Sequence, residues 1–149
     1  LIVQKATELG VSRLQPVMTR RTIVDRVNID RMRANAIEAA EQSGRLTVPE
    51  IAEPIDLAKL VPQWNGQRRL MFCDEAGEAP PAVAALAKIG PSPWAILTGP
   101  EGGFDPAERE MLRRQSFVVP VSLGPRIMRA DTAALAAIAI WQSTVGDWS

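Results

Sequence analysis

The sequence predicts an α/β domain with a mainly parallel sheet flanked by helices. Two short, continuous apolar runs, Leu70 to Cys73 and Trp94 to Leu97, have the pattern of strands covered on both faces. Helix-period segments alternate with such runs along the chain, the arrangement that produces parallel sheets. Asp105-Pro106-Ala107-Glu108 adds a sharp local signal, combining an N-cap residue, a proline at the first helical position and a reciprocal capping carboxylate.

Each element follows from its own pattern. Leu1 to Leu9 has apolar residues at Ile2, Ala6 and Leu9 and stops at Gly10, a helix reading. Arg13 to Met18 reads as one strand. Asn28 caps a helix running to about Ser43, with Ile29, Met32, Ala36, Ile37 and Ala40 on one face and Gly44 closing it. Glu50 to Glu53 reads as a short strand, and Ile55 to Leu60 as a short helix between Pro54 and Pro62. Gly90-Pro91-Ser92-Pro93 is a turn into the Trp94 strand. The helix opened by Asp105 should reach about Gln115, and Phe117 to Val121 forms the next strand. Asp131 or Thr132 then starts a final helix that is apolar on nearly every side, from Ala133 to Trp141. A helix without a polar face is buried in a core or against a second subunit, and we expect a homodimer interface here.

Length and composition set the outer bounds. The 149 residues fit one domain, and 46% hydrophobic with 23% charged residues fits a globular chain. Leu1 is not a methionine, so the sequence reads as a fragment lacking an N-terminal part. The apolar run Leu1-Ile2-Val3 is too short for a signal peptide. Thr132 to Gly146, the longest uncharged stretch, falls short of the roughly 20 residues of a membrane span. A cytoplasmic address without membrane contact is the expectation.

Histidine is absent and Cys73 is the only cysteine, which removes Ser-His-Asp and Cys-His sites, nearly all zinc sites and any disulfide framework. No metal is expected, and Cys73 reads as a small buried hydrophobe. Chemistry must therefore run on carboxylates, guanidinium groups, hydroxyls, backbone dipoles or a bound cofactor. The net charge is zero, yet Leu1 to Arg33 carries seven basic residues against three acids, a surplus of four. This third of the chain is either a phosphate-facing patch or a set of solvated arginines.

In parallel sheets, ligands gather beyond the C-terminal ends of the strands. Two loops there stand out. Thr98-Gly99-Pro100-Glu101-Gly102-Gly103-Phe104 follows the Trp94 strand and holds three glycines. Ser122-Leu123-Gly124-Pro125-Arg126-Ile127-Met128-Arg129 follows the Phe117 strand, with a Gly-Pro turn and two arginines three apart. Each leads into a helix N-terminus, which favours polar or anionic groups. Neither loop fits the dinucleotide fingerprint or the P-loop.

Leu97 to Phe104, followed by Glu108, resembles the glycine-rich signature of the 16S rRNA uridine-N3 methyltransferase (RsmE) family. Leu123-Gly124-Pro125-Arg126-Ile127-Met128-Arg129-Ala130-Asp131-Thr132-Ala133 is similar to that family's second signature, with Met128 where leucine is frequent and Asp131 where glutamate is frequent. Gln4 to Val11 and Glu38 to Arg45 match two further family stretches. The four motifs occur in order along the chain. The resemblance implies the SPOUT methyltransferase fold over residues 1–149, with a deep trefoil knot in its C-terminal segment. It also implies a homodimer, S-adenosyl-L-methionine as cofactor and 16S rRNA of the small subunit as substrate. Family members usually carry a PUA-like RNA-binding barrel ahead of this domain, which this chain lacks.

The resemblance also suggests roles. Leu97, Leu123, Ile127 and Met128 would form apolar walls for the cofactor, while Thr98, Gly99, Pro100, Gly102, Gly103 and Gly124 would offer it main chain. Methyl transfer to uracil N3 requires loss of the N3 proton, and a guanidinium stabilises the resulting anion. Arg129 is the first candidate, then Arg126; the alternative for either is a phosphate or carboxylate clamp. Glu101 is a cofactor-loop residue and possible proton acceptor, or else a carboxylate bracing the loop. Arg20, Arg21 and Arg26 would hold RNA phosphates or simply be solvated. Trp64 and Trp148 could stack on bases, although packing is the commoner role. Two other readings remain: a SPOUT ribose 2′-O-methyltransferase, and a non-catalytic dimerisation or RNA-binding module.

Overall fold

The computed structural model of the chain describes residues 1–22, 28–75, 78–100 and 102–149. The elements run α1 (Ile2–Glu8), β1 (Arg13–Leu14), β2 (Val17–Met18), α2 (Ile29–Gln42), β3 (Glu50–Ile51), β4 (Ile55–Asp56), α3 (Leu57–Leu60), β5 (Arg69–Cys73), α4 (Ala82–Ile89), β6 (Trp94–Leu97), α5 (Pro106–Arg113), β7 (Val118–Val121) and α6 (Ala130–Thr144). Every strand pair among the described residues is parallel, as the apolar runs predict.

The principal sheet has the order β6-β5-β7. Alternation along β5 feeds two separate cores. Leu70 and Phe72 face Leu57, Val61, Leu97, Phe104, Leu112 and Val118, on the side covered by α3 and α5. Met71 and Cys73 face Ala82, Leu86, Trp94, Val121 and Ala137, on the side covered by α4 and α6. The central strand is thus covered on both faces, which explains its lack of polar alternation.

The N-terminal third is a smaller layer. Arg13 to Met18 forms two strands, not one. Around Pro16 the ladder is interrupted, so β1 pairs with β3 and β2 pairs with β4. Gln15 spans the interruption, its Nε2 donating to Glu53 O at 2.6 Å and Pro16 O at 2.9 Å. Ile55 and Asp56 belong to β4, which delays the expected helix until Leu57. Asn28 caps α2 as predicted, accepting from Arg31 N at 3.0 Å. The buried stripe of that helix is Ala36, Ala39 and Ala40, whereas Ile37 is 48% exposed. Arg45 then ties the end of α2 to α1, donating from Nη1 to Thr7 O and Val11 O, both at 2.9 Å.

Helix α4 is absent from the sequence expectation. Its eight residues are so rich in alanine that they lack a clear polar face, and no side-chain cap announces it. Helix α6 begins at Ala130, one residue earlier than expected, without a side-chain cap. It packs on α4 and α1, and Gln142 reaches Leu9 O at 2.7 Å. Ala133, Ala134, Ala137 and Ile138 are buried, but Leu135, Ala136, Ala139, Ile140 and Trp141 are only half-buried within this chain.

Candidate functional site

The two glycine-bearing loops leave the same edge of the sheet on either side of β5. Leu97 ends β6 opposite Phe72, and Val121 ends β7 opposite Cys73. Strands in a sheet lie about 4.8 Å apart, so the loops start roughly 10 Å from each other, with Asp74 between them.

The first loop is clamped at both ends. Phe104 is 7% exposed and meets Phe72 edge-on, with ring centroids 5.3 Å apart. A Cβ on Gly99 would lie 2.9 Å from Cε2 of Phe104, so only glycine lets the main chain pass over that ring. Gly103 has φ +71°, a backbone that favours glycine, and its N–H donates to Pro100 O at 2.8 Å. At the far end the predicted capping box forms. Glu108 N donates to Asp105 Oδ1 at 2.8 Å, and Asp105 N donates to Glu108 Oε1 at 3.1 Å. The bond from Glu108 N, reinforced by the Arg20 guanidinium, holds the Asp105 carboxyl below the usual carboxylate range.

Arg20 and Arg21, the predicted RNA contacts, brace this loop. Arg20 N donates to the buried Glu108 at 3.2 Å, and Arg20 Nη1 lies 3.3 Å from Asp105 Oδ2. Arg21 Nη1 donates to Gly102 O at 3.1 Å and Phe104 O at 3.3 Å. Both side chains remain exposed to solvent beyond these contacts. Glu101 and Arg26 lie outside the described residues.

The second loop begins where Ser122 pairs with the segment between β5 and α4. Ser122 N donates to Pro80 O at 2.8 Å, and Ala82 N donates to Ser122 O at 3.0 Å. Leu123 is half-buried against the core, and Gly124 has φ +111°. Gly124, Pro125, Arg126 and Ile127 are exposed, Ile127 at 94%. Met128 is half-buried. Among the described residues neither Arg126 nor Arg129 has an ion-pair partner. Arg129 occupies the N-cap position of α6 and lines a cavity of about 530 Å³ with Leu1, Ile2, Asn28, Arg31, Asn35 and Asp131. The structure therefore brings Arg129 to the N-terminal ends of α1 and α2. No residue of the first loop lines that cavity.

Sequence reading missed one cluster. Asp74, just past β5 and with its side chain 1% exposed, meets Arg109 and Arg113 of α5. Arg109 Nε lies 2.9 Å from Oδ1, and Arg113 Nε lies 2.9 Å from Oδ2. Burial raises this carboxyl's pKa, but hydrogen bonds from the two guanidinium groups outweigh it and hold the group below the usual range. An Asp-Glu pair at a strand end, with arginines four apart beginning 35 residues after the Asp, is too weak a pattern to find without the fold. Cys73 is buried as expected, which pushes its thiol up to about 12 and keeps it neutral. Trp64 is also structural, stacked on Phe117 with its Nε1 donating to Arg68 O at 2.8 Å. Trp148 is 54% exposed. Among the described residues no cluster of acidic or sulfur ligands could hold a metal, and no helix is long and apolar enough to cross a membrane.

Comparison with known proteins agrees with this arrangement. The RNA methyltransferase domain family matches residues 1–142. The ribosomal RNA small subunit methyltransferase E of Rickettsia conorii is 35% identical over 140 residues, covering 93% of this chain and 57% of that protein. Its namesake from Synechocystis is also 35% identical, covering 93% of this chain and 46% of that protein. The chain thus spans about half the length of these relatives. A ribosomal RNA small subunit methyltransferase E from Neisseria gonorrhoeae, bound to S-adenosyl methionine, superposes with a TM-score of 0.86 at 30% identity, over 99% of this chain and 62% of that one. Sequence and architecture together place the chain in the RNA methyltransferase domain family.

Proposed function

We propose that this chain is the catalytic domain of an S-adenosylmethionine-dependent enzyme that methylates N3 of a uridine in 16S rRNA of the small ribosomal subunit. The observation that carries this reading is the pair of glycine-bearing loops starting on either side of β5 at the C-terminal edge of one parallel sheet. The names of the relatives and the cofactor in the Neisseria structure support it.

The residues present fit a cofactor of this kind. Gly103 and Gly124 have positive φ, and a Cβ at either would meet nothing within 4 Å, so both loops leave open space beside their main chain, while Leu97 and the half-buried Leu123 are the candidates for apolar walls. Thr98, Gly99, Pro100, Glu101, Gly102, Ile127 and Met128 complete that binding set in this reading. Bound S-adenosylmethionine supplies a methyl group on a sulfonium, a good leaving group, so holding donor and acceptor in line provides much of the acceleration. Arg129, exposed and without an ion-pair partner among the described residues, is available to stabilise charge on the uracil carbonyl oxygens as N3 loses its proton. Arg126 can assist, and Glu101 is the candidate proton acceptor. Arg20 and Arg21 present their remaining N–H groups, with Arg26, to RNA phosphates.

Three further features belong to the same reading. The chain leaving β7 runs beside Pro80 to Ala82 before α6 packs on α4, which supports a C-terminal trefoil knot of the SPOUT kind. The half-buried apolar side of α6 supports a homodimer. A separate RNA-binding barrel precedes residues 1–149 in the whole protein, which works in the cytoplasm. The test is methylation of small subunits from cells lacking the modification, read as N3-methyluridine in digested 16S rRNA. Wild type should form it, and Arg129→Ala should not, while still binding S-adenosylhomocysteine. Ribose-methylated, alkali-stable dinucleotides instead would assign the acceptor to the 2′-hydroxyl.

A further inference from the structure

The carboxylate of Asp74 is buried, and a role in packing alone does not explain it. Burying a charge costs free energy, and apolar residues of similar volume often fill such positions without loss of stability. Here the carboxylate joins elements that must keep a fixed relation for the site to exist. Its Oδ1 takes Arg109 Nε at 2.9 Å, and its Oδ2 takes Arg109 Nη2 at 3.3 Å, a two-point contact that fixes orientation as well as distance. The same Oδ2 takes Arg113 Nη2 at 2.7 Å. Arg113 Nε also lies 2.9 Å from Oδ2, and because Arg109 and Arg113 stand one turn apart, these contacts define both the height and the rotation of α5 against β5. That helix begins at Pro106, directly beyond the Asp105 cap that ends the first loop.

The main chain of Asp74 acts on the other loop. Its N–H donates to Val121 O at 3.1 Å, the last residue of β7, and Ser122 opens the second loop immediately afterwards. One residue at the tip of the central strand therefore holds the helix that closes one loop and the strand that opens the other.

The geometry points to Asp74, through Arg109 and Arg113, as a positioning residue that sets the spacing of the two loops for S-adenosylmethionine. This rests on the cofactor reading above and names what holds that site in shape. Asp74 itself touches neither cofactor nor RNA in this account, and its effect travels through α5 and β7.

The experiment compares calorimetric titrations of S-adenosylhomocysteine into wild type, Asp74→Asn and Arg113→Gln, each below its own unfolding temperature. Asp74→Asn keeps the shape but removes the charge, and should weaken binding about tenfold, equivalent to about 1.4 kcal/mol. Arg113→Gln removes both Arg113 bonds to Oδ2 but leaves the two-point Arg109 contact in place, so it should weaken binding less, about threefold. In turnover assays the KM for S-adenosylmethionine should rise by the same factors while kcat holds. Should Asp74→Asn fail to fold, Arg113→Gln decides alone. Unchanged affinity in folded variants would overturn the proposal and leave the cluster a purely structural tie. No binding by folded wild type would overturn the cofactor reading and this inference together.

Discussion

Gly99 offers a test of how tightly the first loop is set against the core. An added Cβ would stand 2.9 Å from Cε2 and 3.2 Å from Cδ2 of Phe104, well inside van der Waals contact. The ring cannot retreat freely, because Phe72 packs edge-on behind it and is fully buried. Either Phe104 shifts into the core or the loop lifts away from the sheet. Overpacking of this kind costs about 1–3 kcal/mol. For a chain of this size each kcal/mol lowers Tm by roughly 2–4 °C. Gly99→Ala should therefore melt measurably earlier in differential scanning calorimetry and bind S-adenosylhomocysteine more weakly. Phe104→Leu makes room, so in the double variant the cost of the added methyl should largely vanish, a coupling read from the full cycle. If Gly99→Ala matches wild type in both Tm and affinity, the loop is not seated as described.

Three other predictions follow from separate parts of the molecule. Arg45→Ala removes the side chain that bonds Thr7 O and Val11 O, and chemical denaturation should show a loss of about 1–3 kcal/mol. Ala139→Glu adds a charge on the half-buried side of α6 and should convert a dimer to a folded monomer in sedimentation; an unaltered dimer would exclude that side as the interface. Acid titration probes Asp74 and Asp105, both held below their ordinary value of 3.8. The unfolded chain takes up these protons first as pH falls, so their stabilisation is full above about pH 4 and is lost below it, through the depressed folded pKa values. Asp74→Asn should flatten the fall in stability below pH 4, and an unchanged acid limb would remove Asp74 as a contributor.

How much of this was legible in the sequence depended on how local the signal is. The Asp105-Pro106-Ala107-Glu108 cap and the Asn28 cap are contained within a few residues, and both form as written. Strands β5 and β6 carry their burial in continuous apolar runs and also appear as expected. The break at Pro16 is not legible locally, because a proline can sit inside an edge strand or divide it, and only the partner strands decide which. Helix α4 escaped because its alanines satisfy no single periodic pattern. At the site, the two loops were readable from glycine and arginine spacing. Their mutual placement depended on the strand order β6-β5-β7, which no local pattern encodes. Arg20 and Arg21 read as surface cations, but contacts more than 80 residues away in sequence make them braces of the first loop. Asp74 was invisible for the same reason.

On the proposed function, the space between the two loops binds S-adenosylmethionine. Isothermal titration of S-adenosylhomocysteine into the folded chain tests it most directly. Saturable binding at one site per chain, weakened by substitution at Gly99, is the expected result. A folded chain that takes up no ligand across the titration would contradict it.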